Sequence, residues 1–181
     1  VRDSSKPTAS VYAKRTNPKE PSEAVEWLRS IGMYGKGAKD KRMPECAFRF
    51  HKESLSILIG KMFQGDGYVN NKRKNGEIYY ATSSRELAQQ LQHILLRLNT
   101  ISTLHTKKFR YRGGIKIGYT VSIHRHNNIR AFADGPGAHL IAEKKKALDN
   151  ILKQHNILNG NTPKYSARGT QDVLPVEILP L

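Results

Sequence analysis

The amino-acid sequence predicts an α+β domain in which helices back a concave, antiparallel four-stranded sheet. Three observations favour this class: apolar residues at helical spacing over 53–65, an Asn-Gly turn signal that ends at Gly76 between two strand-like segments, and regular alternation over 115–124. Alternating apolar and polar residues indicate a strand with one buried and one exposed face, as in antiparallel sheets. From residue 53 onward the predicted order of elements is αββαββαα.

Each element has its own local signal. Ser22 is a candidate cap for the first helix and Gly32 a stop signal, while Ser83 and Glu86 form a capping-box pattern before the central helix. The Asn-Gly turn predicts a hairpin between the first two strands of the sheet. In chain order the predicted elements are a short strand within 8–16, helices over 23–31 and 53–65, strands over 68–70 and 77–82, a helix reaching residue 98, strands over 102–110 and 115–124, and helices over 128–133 and 142–154.

The chain has 181 residues and a mass of 20.5 kDa, which is enough for one domain with a hydrophobic core. We expect residues 1–50 to be the end of a preceding repeat or a linker region, 51–158 to be the main domain, and 159–181 to be a C-terminal tail. The tail is distinguished by its Gly, Pro and Ser residues and by its lack of periodicity.

Several protein classes are excluded by composition. No segment approaches the ~20 apolar residues of a membrane helix, and no apolar segment with a basic start opens the chain as a secretory signal would. The single cysteine, Cys46, cannot form an internal disulfide, and no Cys/His cluster indicates structural zinc. We therefore expect an intracellular protein of the cytoplasm, nucleoid or an organelle that is not secreted.

The charge balance indicates a polyanionic partner. There are 31 Lys and Arg residues against 15 Asp and Glu residues, a formal net charge of +16. Between residues 72 and 125 the only acids are Glu77 and Glu86, and many of the cations lie in or beside predicted strands. This pattern favours a sheet laid on nucleic-acid phosphates, with some side chains reaching base edges. The candidate contacts are Tyr68, Asn70, Lys72, Arg73, Lys74, Glu77, Tyr79, Lys107, Lys108, Arg110, Arg112, Lys116, Ser122, His124 and Arg125.

Residues 58–67, Leu-Ile-Gly-Lys-Met-Phe-Gln-Gly-Asp-Gly, are the most informative segment. They form the end of an apolar helix that leads through Asp66 and Gly67 directly into a strand. An Asp at a helix end beside glycine can supply a carboxylate and an exposed carbonyl, which are the ligands that Mg²⁺ prefers. The alternative interpretation is that Asp66 only occupies a polar turn. For the two tyrosines of the next strand, Tyr79 and Tyr80, we expect one to pack inward.

This segment, followed by Tyr68-Val69 and the αββαββα order, resembles the LAGLIDADG (dodecapeptide) homing endonuclease family. It is most similar to the endonuclease domains embedded in inteins of replicative-helicase type. Four further segments are similar to the family in the same order, so the resemblance covers roughly residues 23–155. They are residues 27–36 followed by 41–44, residues 83–98, residues 127–132 and residues 144–148.

The resemblance implies a site-specific double-stranded DNA endonuclease that hydrolyses phosphodiester bonds with Mg²⁺ or another divalent cation such as Mn²⁺. It implies that Asp66 is the catalytic, metal-binding acid and that Gly65 supplies a carbonyl ligand. Lys144, four residues before Leu148, matches the lysine that the family places near the scissile phosphate. Its neighbours Lys145 and Lys146 leave that assignment open by one or two residues, and all three could be a solvated start of a helix.

The chain departs from the family in ways that affect its partner. The family builds two active sites from two motif helices, but only one motif is present, so a second half is expected, as a homodimer or a complementary chain. Lys61 stands where the family has a small residue that lets the helices approach, and Gln64 is an amide rather than an acid. Neither Val1 nor Leu181 matches the ends that intein splicing uses, so we expect no self-splicing.

Two other functions remain open. One is a catalytically inactive DNA-binding module or RNA maturase of the same fold. The other is a basic RNA-binding protein of ribosomal type, which would explain the charge but not the Gly-Asp-Gly sequence after an apolar helix.

Overall fold

The computed structural model describes residues 20–72, 76–111 and 113–154. The strand predicted within 8–16, the tail from residue 159, and the candidate DNA contacts Arg73, Lys74 and Arg112 lie outside the described residues. None of the helices in the described ranges is long and apolar enough to cross a membrane.

The predicted α+β class is confirmed: four antiparallel strands form one sheet in the order β1-β2-β4-β3, with helices around it. Two short 3-10 helices, 45–49 and 136–139, were not predicted, because so few residues show no periodicity. The elements are α1 (Glu23–Ser30), α2 (Lys52–Gly65), β1 (Gly67–Asn70), β2 (Glu77–Thr82), α3 (Arg85–Arg97), β3 (Ser102–Tyr111), β4 (Gly114–Ile123), α4 (His126–Asp134) and α5 (Ala142–Gln154).

The N-terminus of α3 differs by one residue from the predicted capping box. Ser84, not Ser83, is the cap, and its hydroxyl accepts a hydrogen bond from the Leu87 amide at 3.1 Å. The same hydroxyl donates to the Lys41 carbonyl at 2.6 Å, so it also ties the upstream loop to the helix. Because the Ser84 hydroxyl both accepts and donates a hydrogen bond, it satisfies one amide at the start of the helix that has no partner within the helix and one carbonyl of the loop.

Packing of the core continues upstream of residue 51, where the predicted main domain begins. Met43 is buried in the same core cluster as the residues of α2 and α3, and Ala47 is completely buried. Arg97 donates from its guanidinium to the carbonyls of Phe48 and Phe50, at 2.8 and 3.3 Å. The segment around the first 3-10 helix is therefore held against α3 by polar as well as apolar contacts.

The sheet has two chemically different faces. The inner face carries Val69, Ile78, Tyr80, Val121 and Ile123, which are buried in the core. We call the opposite side the outer face; the strand register puts on it Tyr68, Asn70, Glu77, Tyr79, Ala81, Thr103, His105, Lys107, Phe109, Tyr111, Lys116, Gly118, Thr120 and Ser122. The predicted alternation of β4 is therefore present.

The buried face predicted for β4 extends along only half of the strand. β2 pairs with residues 119–123, whereas 114–118 pair with β3 alone, so residues 107–111 and 114–118 form a two-stranded ribbon beyond β2. On this ribbon Ile115 is 73% exposed and Ile117 is also exposed. An alternating sequence fixes which side chains share a face, but not whether other elements cover that face.

Gly60 lies at the closest approach between α2 and the 3-10 helix 136–139. A Cβ atom built on Gly60 would clash with the Pro136 carbonyl and lie 2.7 Å from the His139 Cβ atom. Gly60 therefore serves packing within this chain, because its lack of a side chain allows the backbone of 136–139 to pack directly on α2.

We predict that Gly60→Ala lowers the free energy of unfolding by about 1–3 kcal/mol, since the added methyl group has to displace backbone atoms. Urea denaturation measures this loss. Gly65→Ala is the matched control in the same helix, because nothing lies within 4 Å of its Cβ position, and it should be neutral or stabilising by up to about 1 kcal/mol. Equal losses for both variants would contradict the packing role of Gly60.

Candidate functional site

Asp66 lies where α2 ends and β1 begins. It is the C-cap residue of α2, and its amide donates a hydrogen bond to the Met62 carbonyl at 3.0 Å. Asp66 is an exposed residue. Asp66 lines a cleft of about 540 Å³ together with Tyr79, Tyr80 and Lys107, among others. The cleft lies at the end of the sheet where β1 begins and β2 ends, and an acid and three cations, Lys41, Lys107 and Lys108, line the same space.

The ammonium group of Lys144 binds the backbone on both sides of Asp66. Its Nζ atom donates to the carbonyls of Phe63, Gln64 and Gly65, at 3.0, 2.8 and 3.2 Å, and to that of Gly67 at 2.7 Å. The last carbonyls of a helix have no partner within the helix, and a cation there also interacts favourably with the helix dipole. Lys144 therefore caps α2 from the first turn of α5.

The structure distinguishes Lys144 from the two neighbouring lysines. Lys145 forms an ion pair with Asp149 at 3.3 Å within α5, and Lys146 is exposed. A second contact also joins the two helices, because the Gln64 side-chain oxygen accepts a hydrogen bond from the Ile141 amide at 3.0 Å. Gln64, which has an amide where the family has an acid, thus links the end of α2 to the start of α5.

Lys144 lies near the proposed metal ligands but binds backbone atoms in this structure. An ammonium group has three N–H donors, and four carbonyls surround it, so no donor remains for a phosphate in this arrangement. Burial lowers the pKa of Lys144, and the nearby Asp66 carboxylate opposes this shift. Its role next to a scissile phosphate stays a prediction.

Tyr80 is the inward-packing tyrosine and lines the same cleft as Asp66. It lies opposite Gly67 in the β1–β2 register, and its ring centroid is 5.7 Å from that of Phe63. Burial raises the pKa of Tyr80, and the charge and hydrogen bond of Asp66 raise it further, so the phenol keeps its proton. The sequence analysis did not predict that Tyr80 shares this cleft with Asp66; the available signal was the position of Tyr80 in the strand that pairs with the Asp-Gly turn.

The donor set fits a hard divalent cation in part. The Asp66 carboxylate is an accessible oxygen ligand, and Gly65 presents a carbonyl beside it, although that carbonyl also accepts from Lys144. Among the described residues there is no group of three or more His, Cys, Asp or Glu side chains that could hold a metal. Since Mg²⁺ needs six ligands, Asp66 can serve as one of them, and most of the others must come from outside the described residues.

The sheet separates the candidate DNA contacts into groups. Lys108 and Arg110 lie on the side of the ribbon opposite the outer face, whereas Lys72 is an exposed residue after β1, and His124 and Arg125 follow the end of β4. The contacts on the outer face are Tyr68, Asn70, Glu77, Tyr79, Lys107, Lys116 and Ser122.

The outer face contains more aromatic surface than the sequence analysis assigned to it. Tyr68 and Tyr79 stack with their centroids 4.7 Å apart, and the Phe109 ring lies over Gly118. Phe109 and Tyr111 are exposed on the ribbon and were not among the candidates, although their alternation with cations was a visible signal. Ser122, which was a candidate, is only 7% exposed.

Residues 53–135 match the family model of the LAGLIDADG-like domain. The matched range runs from the first turn of α2 through all four strands to the end of α4, and it includes Asp66 but not Lys144. The match supports the family resemblance of this region and agrees with the α+β fold.

Proteins of DNA replication are similar to the chain over most of its length. The replicative DNA helicase DnaB of Rhodothermus marinus is 26% identical over 174 residues, which is 93% of this chain and 17% of the helicase. DnaB of Synechocystis sp. is 27% identical over 170 residues, 92% of this chain and 18% of that helicase. The replication factor C small subunit of Methanocaldococcus jannaschii is 31% identical over 134 residues, 74% of this chain and 7% of that protein. The chain thus spans less than a fifth of each of these relatives.

We predict that Lys144→Met lowers the free energy of unfolding by about 1–2 kcal/mol, because the final carbonyls of α2 lose a charged donor. Lys146→Met is the matched control, since it makes the same chemical change two residues along α5 at an exposed position, and it should cost less than about 0.5 kcal/mol. Urea denaturation compares the two variants. A larger loss for Lys146→Met would contradict the capping role of Lys144.

Proposed function

We propose that this chain is the C-terminal half of a LAGLIDADG DNA endonuclease of the kind embedded in replicative-helicase inteins. The observation that carries the proposal is that the Asp66 carboxylate opens onto the same cleft as Lys107 and Tyr79. A metal-binding acid next to cationic and aromatic groups on an exposed sheet suits hydrolysis of a nucleic-acid backbone. The similarity to two DnaB helicases over 93% and 92% of the chain supports the intein context.

Duplex DNA lies on the outer face in this proposal. Lys107 and Lys116 bind phosphates there, while Tyr68, Tyr79 and Phe109 offer flat surfaces against sugars and bases. Lys108 and Arg110 lie on the other side of the ribbon and add to the electrostatic attraction, and Lys108 also lines the cleft at Asp66.

The mechanism assigns separate tasks to the residues of the site. Asp66 contributes one carboxylate ligand to the divalent cation, and Gly65 contributes its carbonyl. When bound, the cation supplies Lewis-acid chemistry at the scissile phosphate. Lys144 fixes the backbone on both sides of Asp66 and provides a positive charge close to the anionic phosphate.

A second half completes the enzyme in this proposal, and it is a complementary half rather than a second copy. Ile57 is 46% exposed and Lys61 is exposed on the side of α2 that faces away from the core, and Trp27 on α1 is 62% exposed. The exposure of Lys61 does not by itself distinguish a monomer from a dimer, because the pairing face of α2 is uncovered in a single chain. A symmetric helix pair would bring two Lys61 ammonium groups together, whereas a complementary half can avoid this repulsion.

A non-cleaving DNA-binding module is the second candidate function. It is favoured by the lining of the cleft, in which Asp66 is the only acid among the described residues, and by the engagement of the Gly65 carbonyl with Lys144. In that case the outer face would still bind DNA, but added Mg²⁺ would leave the DNA intact.

We predict that Asp66→Asn abolishes Mg²⁺-dependent cleavage of a duplex library and leaves DNA affinity unchanged or slightly higher. The substitution removes the charged metal ligand and one negative charge close to the phosphates, but none of the phosphate contacts. Sequencing of cleaved ends measures activity, and fluorescence anisotropy in EDTA measures affinity.

Asp134→Asn is the matched control, because it removes the same charge from an exposed residue at the end of α4 that lies outside the cleft. Cleavage by Asp66→Asn at the wild-type rate would contradict the metal role of Asp66. Absence of cleavage by the wild type together with a complementary half would favour the non-cleaving module.

We predict that Lys107→Glu weakens DNA binding more than Lys108→Glu does. The two variants change the net charge equally at adjacent positions of β3, but only Lys107 lies on the outer face. For Lys107→Glu the slope of log K against log salt should fall by at least about 1 relative to the wild type. Anisotropy titrations between 50 and 200 mM salt measure these slopes. A larger loss for Lys108→Glu would place the duplex on the opposite side of the ribbon.

A further inference from the structure

We infer that Lys41, in the loop between α1 and the first 3-10 helix, binds a backbone phosphate of DNA in the cleft beside Asp66. This inference rests on the proposed binding of duplex DNA to the outer face, and it does not depend on a metal ion. Lys41 is not one of the candidate DNA contacts, and it lies upstream of residues 53–135, which match the family model. The loop before the matched range thus adds a cation to the nucleic-acid surface.

The lining of the cleft favours an anion. Three lysines, Lys41, Lys107 and Lys108, line it against a single acid, Asp66. None of these lysines forms an ion pair with another described residue. A cleft with an excess of one sign of charge attracts counter-ions. Its volume of about 540 Å³ is large enough for a sugar-phosphate unit rather than a lone ion.

The cleft is continuous with the outer face. Tyr79, Lys107 and Phe109 belong to that face and also line the cleft, because the cleft lies past the end of β2, beside the ribbon. Lys41 lines the same space from the upstream loop. A DNA strand bound at Lys107 therefore lies beside the cleft, and one of its phosphates can enter the space that the two lysines share.

The backbone at Lys41 is held in place, although the residue is exposed. The Lys41 carbonyl accepts a hydrogen bond from the Ser84 hydroxyl at 2.6 Å, and the Met43 amide donates to the Gln90 side-chain oxygen at 2.7 Å. Both partners belong to the N-terminal half of α3 or its cap, and Met43 is buried in the core. A substitution of the Lys41 side chain keeps these backbone bonds, so a change in DNA binding reports the ammonium group rather than the fold.

Acetylation of lysines in the wild-type chain tests the contact directly. The chain is labelled in EDTA with and without a duplex of random sequence, and mass spectrometry measures the labelling of each lysine. We expect the duplex to protect Lys41 and Lys107, whereas Lys39, an exposed residue of the same loop outside the cleft lining, stays labelled. Inorganic phosphate at the same ionic strength should protect none of the three, because a lone ion lacks the neighbouring contacts of a bound strand.

The variant Lys41→Gln gives an independent test, with Lys39→Gln as the matched control, because both remove one positive charge from the same loop. We expect the slope of log K against log salt to fall by about 0.9 for Lys41→Gln, the value for one phosphate contact, and by at most about 0.3 for Lys39→Gln. Lys41→Arg should keep the wild-type slope, since it keeps the charge. Anisotropy titrations measure the slopes, and the midpoint of thermal unfolding should not change in any of the three variants.

The outcomes separate this inference from the proposed function. Equal slopes for the two glutamine variants, or labelling of Lys41 in a complex in which Lys107 is protected, would overturn the Lys41 contact alone. Protection of Lys41 by inorganic phosphate but not by the duplex would assign the cleft to a small anion and also overturn it. If the duplex protects neither Lys41 nor Lys107, both this inference and the proposed binding of DNA to the outer face are wrong.

Discussion

The C-terminal end of α2 is the point on which the arrangement of the site depends. Three carbonyls there, and a fourth across the turn, accept hydrogen bonds from the single ammonium group of Lys144. Without that cation the last carbonyls of α2 would lose a charged donor next to the Asp66 carboxylate, where negative partial charges accumulate. One cation therefore stabilises the helix end, joins α5 to α2 and sets the backbone path that carries the candidate acid into β1.

The strand register of the sheet relates this helix end to a much larger surface. β1 begins one residue after Asp66, so its register with β2 fixes the position of Tyr80 beside the acid and that of Tyr79 on the outer face. The same alternation continues through β4 into the ribbon, where Lys107 and Phe109 extend the surface away from the core. The candidate metal ligand and the candidate nucleic-acid surface thus owe their positions to one hydrogen-bond register.

Periodicity and turn signals predicted most of the fold, because each helix and strand carries its own local pattern. The bounds of β2 and α5 agree with the sequence, and Lys144 was correctly placed on the first turn of α5. What the sequence did not predict depends on contacts between distant residues. No local pattern shows that Lys144 binds carbonyls 77 to 81 residues away, that Gln64 binds the Ile141 amide, or that Tyr80 lines the same cleft as Asp66. For the same reason the exposure of Ile115 was missed, since no β2 residue lies beside that part of β4.

A crystal structure of the chain with its complementary half, duplex DNA and Mn²⁺ tests the central claim most directly. Anomalous scattering locates the manganese ion independently of any assumption about the site. We predict an ion coordinated by an Asp66 carboxylate oxygen, with the duplex on the outer face of the sheet. An ion bound elsewhere with Asp66 unliganded, or a duplex on the helical side of the sheet, would contradict the account.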